Sequence, residues 1–232
     1  MALDPETLNQ LIETVRRFVD ERLIPLEHQV AEDDKVPDDL IAEMKDMGLF
    51  GLSIPEEYGG LGLTMEEEAL VCLELGRTSP AFRSAFGTNV GIGSQGIVID
   101  GTEAQKREYL PKIASGEYVT SFALTEPDAG SDAGSLKTTA HTDGGDYLLN
   151  GTKRFITNAP RADILTVMAR TNTEIKGAGG ISAFIVRRDT PGLSFGKPEK
   201  KMGQQGAHIS DVIFEDCRVP AENIIGSVEG VG

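Results

Sequence analysis

Residues 117–132 read EYVTSFALTEPDAGSD, and the organisation of the whole chain turns on this stretch. A run rich in β-branched and aromatic residues, YVTSFAL, stops at Thr125-Glu126-Pro127. Gly130, Ser131 and Asp132 follow in immediate succession. The first part reads as a strand and the second as a small-residue loop. Such a loop leaves backbone N–H groups open and carries hydroxyls, so it suits an anion or the polar edge of a planar ligand. It equally suits a plain turn.

Upstream of it the chain reads helical. Asp4-Pro5 is a cap followed by a first-turn proline. Leu8, Leu11, Ile12, Val15, Phe18 and Val19 then recur at three- and four-residue steps until Pro25 ends or bends the helix. Leu40, Ile41, Met44 and Met47 share a face of a second helix after Pro37, which closes at Gly48. PEEYGGLGL is a loop. Thr64 to Glu67 and Thr102 to Gln105 are capping boxes, each opening a helix. The first runs to Gly76, and Pro111 is expected to stop the second.

Downstream, DYLLN, TKRFIT, ILTVMAR, ISAFIVR and DVIFED are short strand-like runs. Asp143-Gly144-Gly145, Asn150-Gly151 and Pro191-Gly192 separate them. Asn150-Gly151 carries the composition of a two-residue hairpin. Helices followed by strands predict an α+β chain, an all-α domain over 1–117 and an antiparallel β-barrel or sandwich domain over 118–228. Residues 229–232 read as the start of a linker, and a chain stopping on GSVEGVG is expected to be a shortened one.

The net charge is −15. Residues 1–117 hold 23 acids against 10 bases, and residues 118–232 hold 14 against 12. A basic face for nucleic acid is missing, and the acidity reads as a solvated helical surface. No uncharged apolar run reaches a membrane-spanning length. MALDPETLNQ lacks the features of a signal peptide, which points to the cytoplasm or an organelle matrix. Cys72 and Cys217 stand far apart without a nearby histidine and read as plain structural residues, so no metal site is expected.

Two motif matches lack their context. Gly91 to Gly96 fits G-x-G-x-x-G, but helical sequence surrounds it and no βαβ unit is present. Gly192 to Gly196 fits G-x-S-x-G, but Lys197-Pro198 starts no clean helix, and no aspartate lies between Ser194 and His208. That second stretch reads as a strand between turns. His28, His141 and His208 sit in unrelated contexts.

What remains is FALTEPDAGSD (122–132) and RFITN (154–158). Both set a threonine hydroxyl beside apolar bulk at a strand end. An isoalloxazine ring needs that combination: an apolar wall on one face, and hydroxyl and backbone donors at its polar edge. Each stretch alone is open between turn and site.

Together they resemble the acyl-CoA dehydrogenase family. FALTEPDAGSDAGSL is similar to its signature loop, and KRFITNAPRADILTVMART to its second flavin strand. LFGLSIPEEYGGLGL, GTEAQKREYLPKIASGE and KMGQQGAHISDVIFEDCRVP match further segments in order. The resemblance covers essentially the whole chain. It implies a third, C-terminal helical domain and FAD as cofactor. Carried over, Phe122, Leu124 and Thr125 meet the ring edge through backbone and hydroxyl, and Gly130 and Ser131 contact the cofactor. Ser131 also meets the thioester side of the substrate. Phe155 walls the ring, where the family often has Trp, and Ile156 and Thr157 complete the strand, Thr157 near N5. The implied reaction is α,β-dehydrogenation of an acyl-CoA, with an electron-transfer flavoprotein as acceptor and a homo-oligomeric assembly. The base is a glutamate expected outside this chain, so no catalytic residue is assigned within it. The same fold serves flavin oxidases and monooxygenases, and a non-catalytic scaffold subunit is a further alternative. The glycines of GTNVGIGSQG leave either room for a medium or long acyl chain or close helix packing.

Overall fold

The computed structural model describes residues 3–230, so the last two residues of the 229–232 linker segment lie outside the described residues. Among the described residues, seven α-helices occupy the first half: α1 (Pro5–Phe18), α2 (Glu27–Asp33), α3 (Asp38–Asp46), α4 (Met65–Leu75), α5 (Pro80–Val90), α6 (Gln95–Asp100) and α7 (Glu103–Ala114). Asp4 caps α1 by accepting from the Glu6 and Thr7 N–H groups. Both capping boxes form as expected, at Thr64 with Glu67 and at Thr102 with Gln105. Pro25 bends rather than ends the first helix. A π turn over Val19–Leu23 and a 3₁₀ turn over Ile24–Leu26 carry the chain straight into α2. Pro111 does not stop α7, which runs on to Ala114. Pro111 and Arg107 are both exposed, so the carbonyl deprived of its N–H partner lies on the solvent side.

The helical core gathers Val15, Phe18, Leu23, Leu40, Met44, Phe50, Phe82 and Phe86, with Phe50 and Phe86 ring centroids 5.9 Å apart. α5 is not evident from the apolar periodicity, although Ser79-Pro80 supplies its cap and first-turn proline.

The second half is a seven-stranded sheet curled into a half-barrel: β1 (Thr120–Ala123), β2 (Thr139–Asp143), β3 (Asp146–Thr157), β4 (Ile164–Arg170), β5 (Ile181–Arg187), β6 (Leu193–Phe195) and β7 (Ile209–Pro220). The path is β1-β4-β2-β3-β7-β6, with β5 paired to β4. The sheet is mixed rather than antiparallel throughout, because β1 pairs β4 in parallel, Thr120 opposite Ile164. A parallel pair needs a long crossover, and the signature loop together with the β2–β3 hairpin provides it.

Asn150-Gly151 is not the hairpin. The turn is Gly144-Gly145, both at positive φ, between Asp143 and Asp146. Gly151 lies inside the long β3, at a register slip against β7. A β-carbon there would sit 2.5 Å from Thr138 Oγ1, so close approach between chain segments explains this glycine. β2, TAHTD, is not among the expected strands; its weakly apolar sequence hides it.

Candidate functional site

β1 is an edge strand, and the end of β3 runs beside it. The Ser121 hydroxyl donates to the Thr157 carbonyl at 2.6 Å, and the Arg154 N–H donates to the Thr125 carbonyl at 2.7 Å. Residue 121 therefore faces 157 and residue 125 faces 154. The two stretches singled out in the sequence run antiparallel to each other for about 10 Å, at the usual rise per residue.

The register of β3 against β7 slips again between Lys153 and Ile156. This bulge turns Phe155 outward. Its φ is +57°, uncommon for a bulky residue, and its ring is 54% exposed. The Arg154 guanidinium lies 5.1 Å from the ring centroid. Phe155 and Thr157 line a pocket of about 390 Å³ closed by Ser84 of α5 and by Gln204, Ala207 and Ile209. Lys201 adds a cation to that wall, a locally favourable feature for a phosphate-bearing ligand in an acidic chain.

Buried polar contacts hold this groove. Glu126 is 6% exposed. Its carboxylate accepts from the Lys137 N–H at 2.6 Å, the Thr138 N–H at 2.9 Å and the Thr138 hydroxyl at 2.5 Å. It also accepts from the fully buried Lys153 Nζ at 2.7 Å. Burial opposes the charged form of Glu126, but these donors outweigh it and hold the carboxyl below its ordinary range. Burial likewise draws Lys153 down while Glu126 pulls it up. The net direction is down, and the Lys153 amine donates to the Glu126 carboxylate and, at 3.1 Å, to the Leu124 carbonyl. At the far end, Asn158 takes a left-handed conformation and donates to the Ser84 carbonyl and the Thr88 hydroxyl, both at 2.8 Å. Asn89 of α5 accepts from the Thr120 N–H and donates to the Ile113 and Tyr118 carbonyls. The helical half is thereby fastened to both edges of the groove.

Of the neighbouring hydroxyls, Ser121 is taken by Thr157, Thr138 by Glu126 and Thr166 by the Gly93 carbonyl, whereas the buried Ser210 hydroxyl, opposite Ile156, has no protein partner among the described residues. Among the described residues, no protein group pairs with the hydroxyl of Thr125 or Thr157. Thr157 and the exposed Phe155 ring, which share one pocket, fit the apolar wall and polar edge that a planar, hydrogen-bonding cofactor requires.

The structure brings Phe155 and Thr157 into one pocket and ties the Leu124 and Thr125 carbonyls to Lys153 and Arg154, the residues just before Phe155. Ile156 turns its side chain into the sheet core, 3% exposed, so only its backbone reaches the groove. Phe122 directs its ring elsewhere, into a smaller pocket of about 200 Å³ with Gly96, Asp100, Thr166, Met168 and Ile225. Gly130 and Ser131 lie in the exposed part of the loop, and a β-carbon on Gly130 would meet nothing within 4 Å. The sequence assigns no role to Lys153, or to Asn158 at the end of the RFITN stretch. A lysine at an inward strand position carried the signal for the first, and nothing local marked the second.

The remaining motifs are structural. A β-carbon on Gly93 would sit 2.2 Å from Thr120 Oγ1, so this glycine serves close packing against β1. Leu193–Phe195 is the strand β6. Cys217 is a free, buried thiol whose pKa burial pushes up to about 11. No helix of the described residues is long and apolar enough to cross a membrane.

Comparison with known proteins gives two family matches: acyl-CoA dehydrogenase, N-terminal domain, over residues 5–117, and acyl-CoA dehydrogenase, middle domain, over residues 121–217. An acyl-CoA dehydrogenase of Bacillus subtilis is 42% identical over 218 residues, which is 94% of this chain and 57% of that protein. The mitochondrial isovaleryl-CoA dehydrogenase of Pongo abelii is 40% identical over 224 residues, 95% of this chain and 53% of that one. The structure of butyryl-CoA dehydrogenase from Megasphaera elsdenii superposes with a TM-score of 0.91 at 34% identity, over all of this chain and 61% of that chain. The chain thus spans somewhat more than half the length of these relatives.

Proposed function

Because this chain belongs to the acyl-CoA dehydrogenase family, we propose that it supplies the helical domain (1–117) and the flavin-side β domain (118–228) of an FAD-dependent acyl-CoA dehydrogenase. The observation that supports this reading best is the pocket lined by the exposed Phe155 ring and by Thr157, whose hydroxyl has no protein partner among the described residues, next to the loop tied down at Thr125. Thr125 and the Leu124 backbone would hold the polar edge of the ring, Phe155 its face and Thr157 the neighbourhood of N5. Phe122 and Ile156 would contribute backbone only. Gly130 and Ser131 would close over the cofactor, with Ser131 reaching the pantetheine side of the acyl-CoA.

FAD, when bound, supplies the two-electron acceptor for the substrate β hydrogen. The chain's own part is to orient the thioester and exclude water from it. Hydrogen bonds to the thioester carbonyl acidify the α proton. Glu126 is a poor candidate to remove that proton: it is buried, ion-paired and hydrogen-bonded on both oxygens. No base is therefore assigned among the described residues; in the family that role belongs to a glutamate of the C-terminal helical domain. The product is the trans-2-enoyl-CoA, with an electron-transfer flavoprotein as electron acceptor, a homo-oligomeric assembly, and a cytoplasmic or mitochondrial-matrix setting.

The test is anaerobic mixing of the protein, expressed to the natural end of its reading frame, with a ladder of acyl-CoA thioesters. Bleaching of the flavin with formation of enoyl-CoA supports the reading and identifies the chain length. Reduced flavin that reoxidises rapidly in air would favour an oxidase on the same fold.

A further inference from the structure

A buried lysine–glutamate pair is an unusual way to join two pieces of a β domain. Withdrawing both charges from water costs several kcal/mol, and well-packed apolar residues often stabilise as much. Lys153 is fully buried and Glu126 nearly so, so stability alone gives little reason for the pair. Its position gives a better one. Lys153 donates to the Leu124 carbonyl and to Glu126, and its neighbour Arg154 donates through its N–H to the Thr125 carbonyl. Three consecutive loop residues are therefore tied to two consecutive residues of the β3 bulge. The next residue is Phe155, held in a conformation that bulky side chains avoid and that persists only where the surroundings impose it. The Thr138 hydroxyl and N–H reach the same carboxylate oxygen as Lys153, and the Lys137 N–H braces the other. The pair thus sits where a small shift would change the spacing between the Thr125 hydroxyl and the Phe155 ring.

We propose that Lys153 and Glu126 are positioning residues that set the separation and orientation of the two walls of the flavin groove. This rests on the flavin reading given above. Neither residue touches the reacting atoms; each acts through Thr125 and Phe155.

The test compares the natural protein with the double variant Lys153→Met/Glu126→Gln. Both charges are removed together, so neither is left orphaned, and the amide oxygen introduced at position 126 still accepts from Thr138. The tie to β3 is cut, and the Lys137 N–H, which then meets the amide nitrogen, loses its acceptor. The expected result is a melting temperature of the FAD-free protein within about 3 °C of the original, with FAD binding weakened about tenfold. The visible circular dichroism of the bound flavin should change, and kcat should fall with KM for acyl-CoA nearly constant. Lys153→Arg should recover part of the dichroism. FAD affinity and dichroism equal to those of the natural protein would overturn the proposal and leave the flavin reading intact. No FAD uptake by the natural protein would overturn both. Should the double variant fail to fold, Thr138→Val loosens the same brace with its charges in place. A weaker, altered flavin site there supports the proposal, and an unchanged one overturns it.

Discussion

The two halves of this molecule are held together by different means. The helical half rests on an apolar core of Leu, Val, Met and Phe side chains and on caps made within single turns. The β half has its own apolar core, but its candidate groove is braced by fully buried polar groups: Lys153, Ser121 and Asn158, each reaching a partner at least 27 residues away in sequence. An apolar core tolerates many arrangements of similar volume. A directed polar network tolerates one, because each unpaired donor or charge is costly. The comparison teaches that packing supports the fold while polar contacts specify the groove.

Substitutions can break or sharpen that contrast. The largest effects are expected from Phe82→Ala in the helical half, about 3–5 kcal/mol lost to cavity formation, and from Lys153→Met alone, about 3–5 kcal/mol lost by leaving Glu126 charged and unpaired. Both are measurable by denaturant unfolding. The discriminating step is the second substitution. Glu126→Gln should recover most of the Lys153→Met loss, whereas a compensating polar change elsewhere should leave the Phe82→Ala loss untouched. Recovery in neither case would erase the distinction between the halves.

Acid should weaken both halves through carboxylates held below their ordinary range. Glu126 is held there by Lys153, Thr138 and Lys137 against the opposing effect of burial, and Glu67 by Thr64. Lowered folded-state values mean that their stabilisation is complete above the ordinary value of about 4.5 and is lost as pH falls through the folded values. A titration of unfolding free energy should show this decline below about pH 4.5. Lys153→Met/Glu126→Gln should make it shallower, and an unchanged slope would remove Glu126 from the account.

A smaller loss is expected from Thr64→Ala, about 1 kcal/mol from the missing capping box. Flavin content should not follow it, since the cap lies in the helical half. The smallest effect has the opposite sign. Phe155→Asn relieves the left-handed strain and should raise stability by about 0.5 kcal/mol, while weakening FAD binding through loss of the aromatic wall. A variant that is both less stable and normal in flavin binding would show that Phe155 serves packing instead.

The sequence was most legible where structure is made locally. Thr64 and Glu67 sit three residues apart and cap the same helix end, and Leu40 with Met44 marks one buried face. It was least legible where distant segments meet. Asn150-Gly151 carries a hairpin composition, yet Gly151 is required by the approach of Thr138, and Gly144-Gly145 makes the turn. The parallel pairing of β1 with β4 depends on a long crossover that no local pattern announces. Of the candidate site, Thr125, Phe155 and Thr157 stood out because strand ends bearing hydroxyls and aromatics are visible in sequence. Lys153 and Asn158 did not, because their partners come from other strands and from α5.

The central claim is that the pocket lined by Phe155 and Thr157, beside the loop at Thr125, holds a flavin. The most direct measurement is a titration of FAD into the protein expressed to the natural end of its reading frame, followed by visible absorption and repeated with Thr157→Val. Saturable uptake with a resolved flavin band, weakened by the substitution at unchanged melting temperature, is the predicted result. A protein that takes up no FAD, or that binds it equally well without the Thr157 hydroxyl, would contradict the claim.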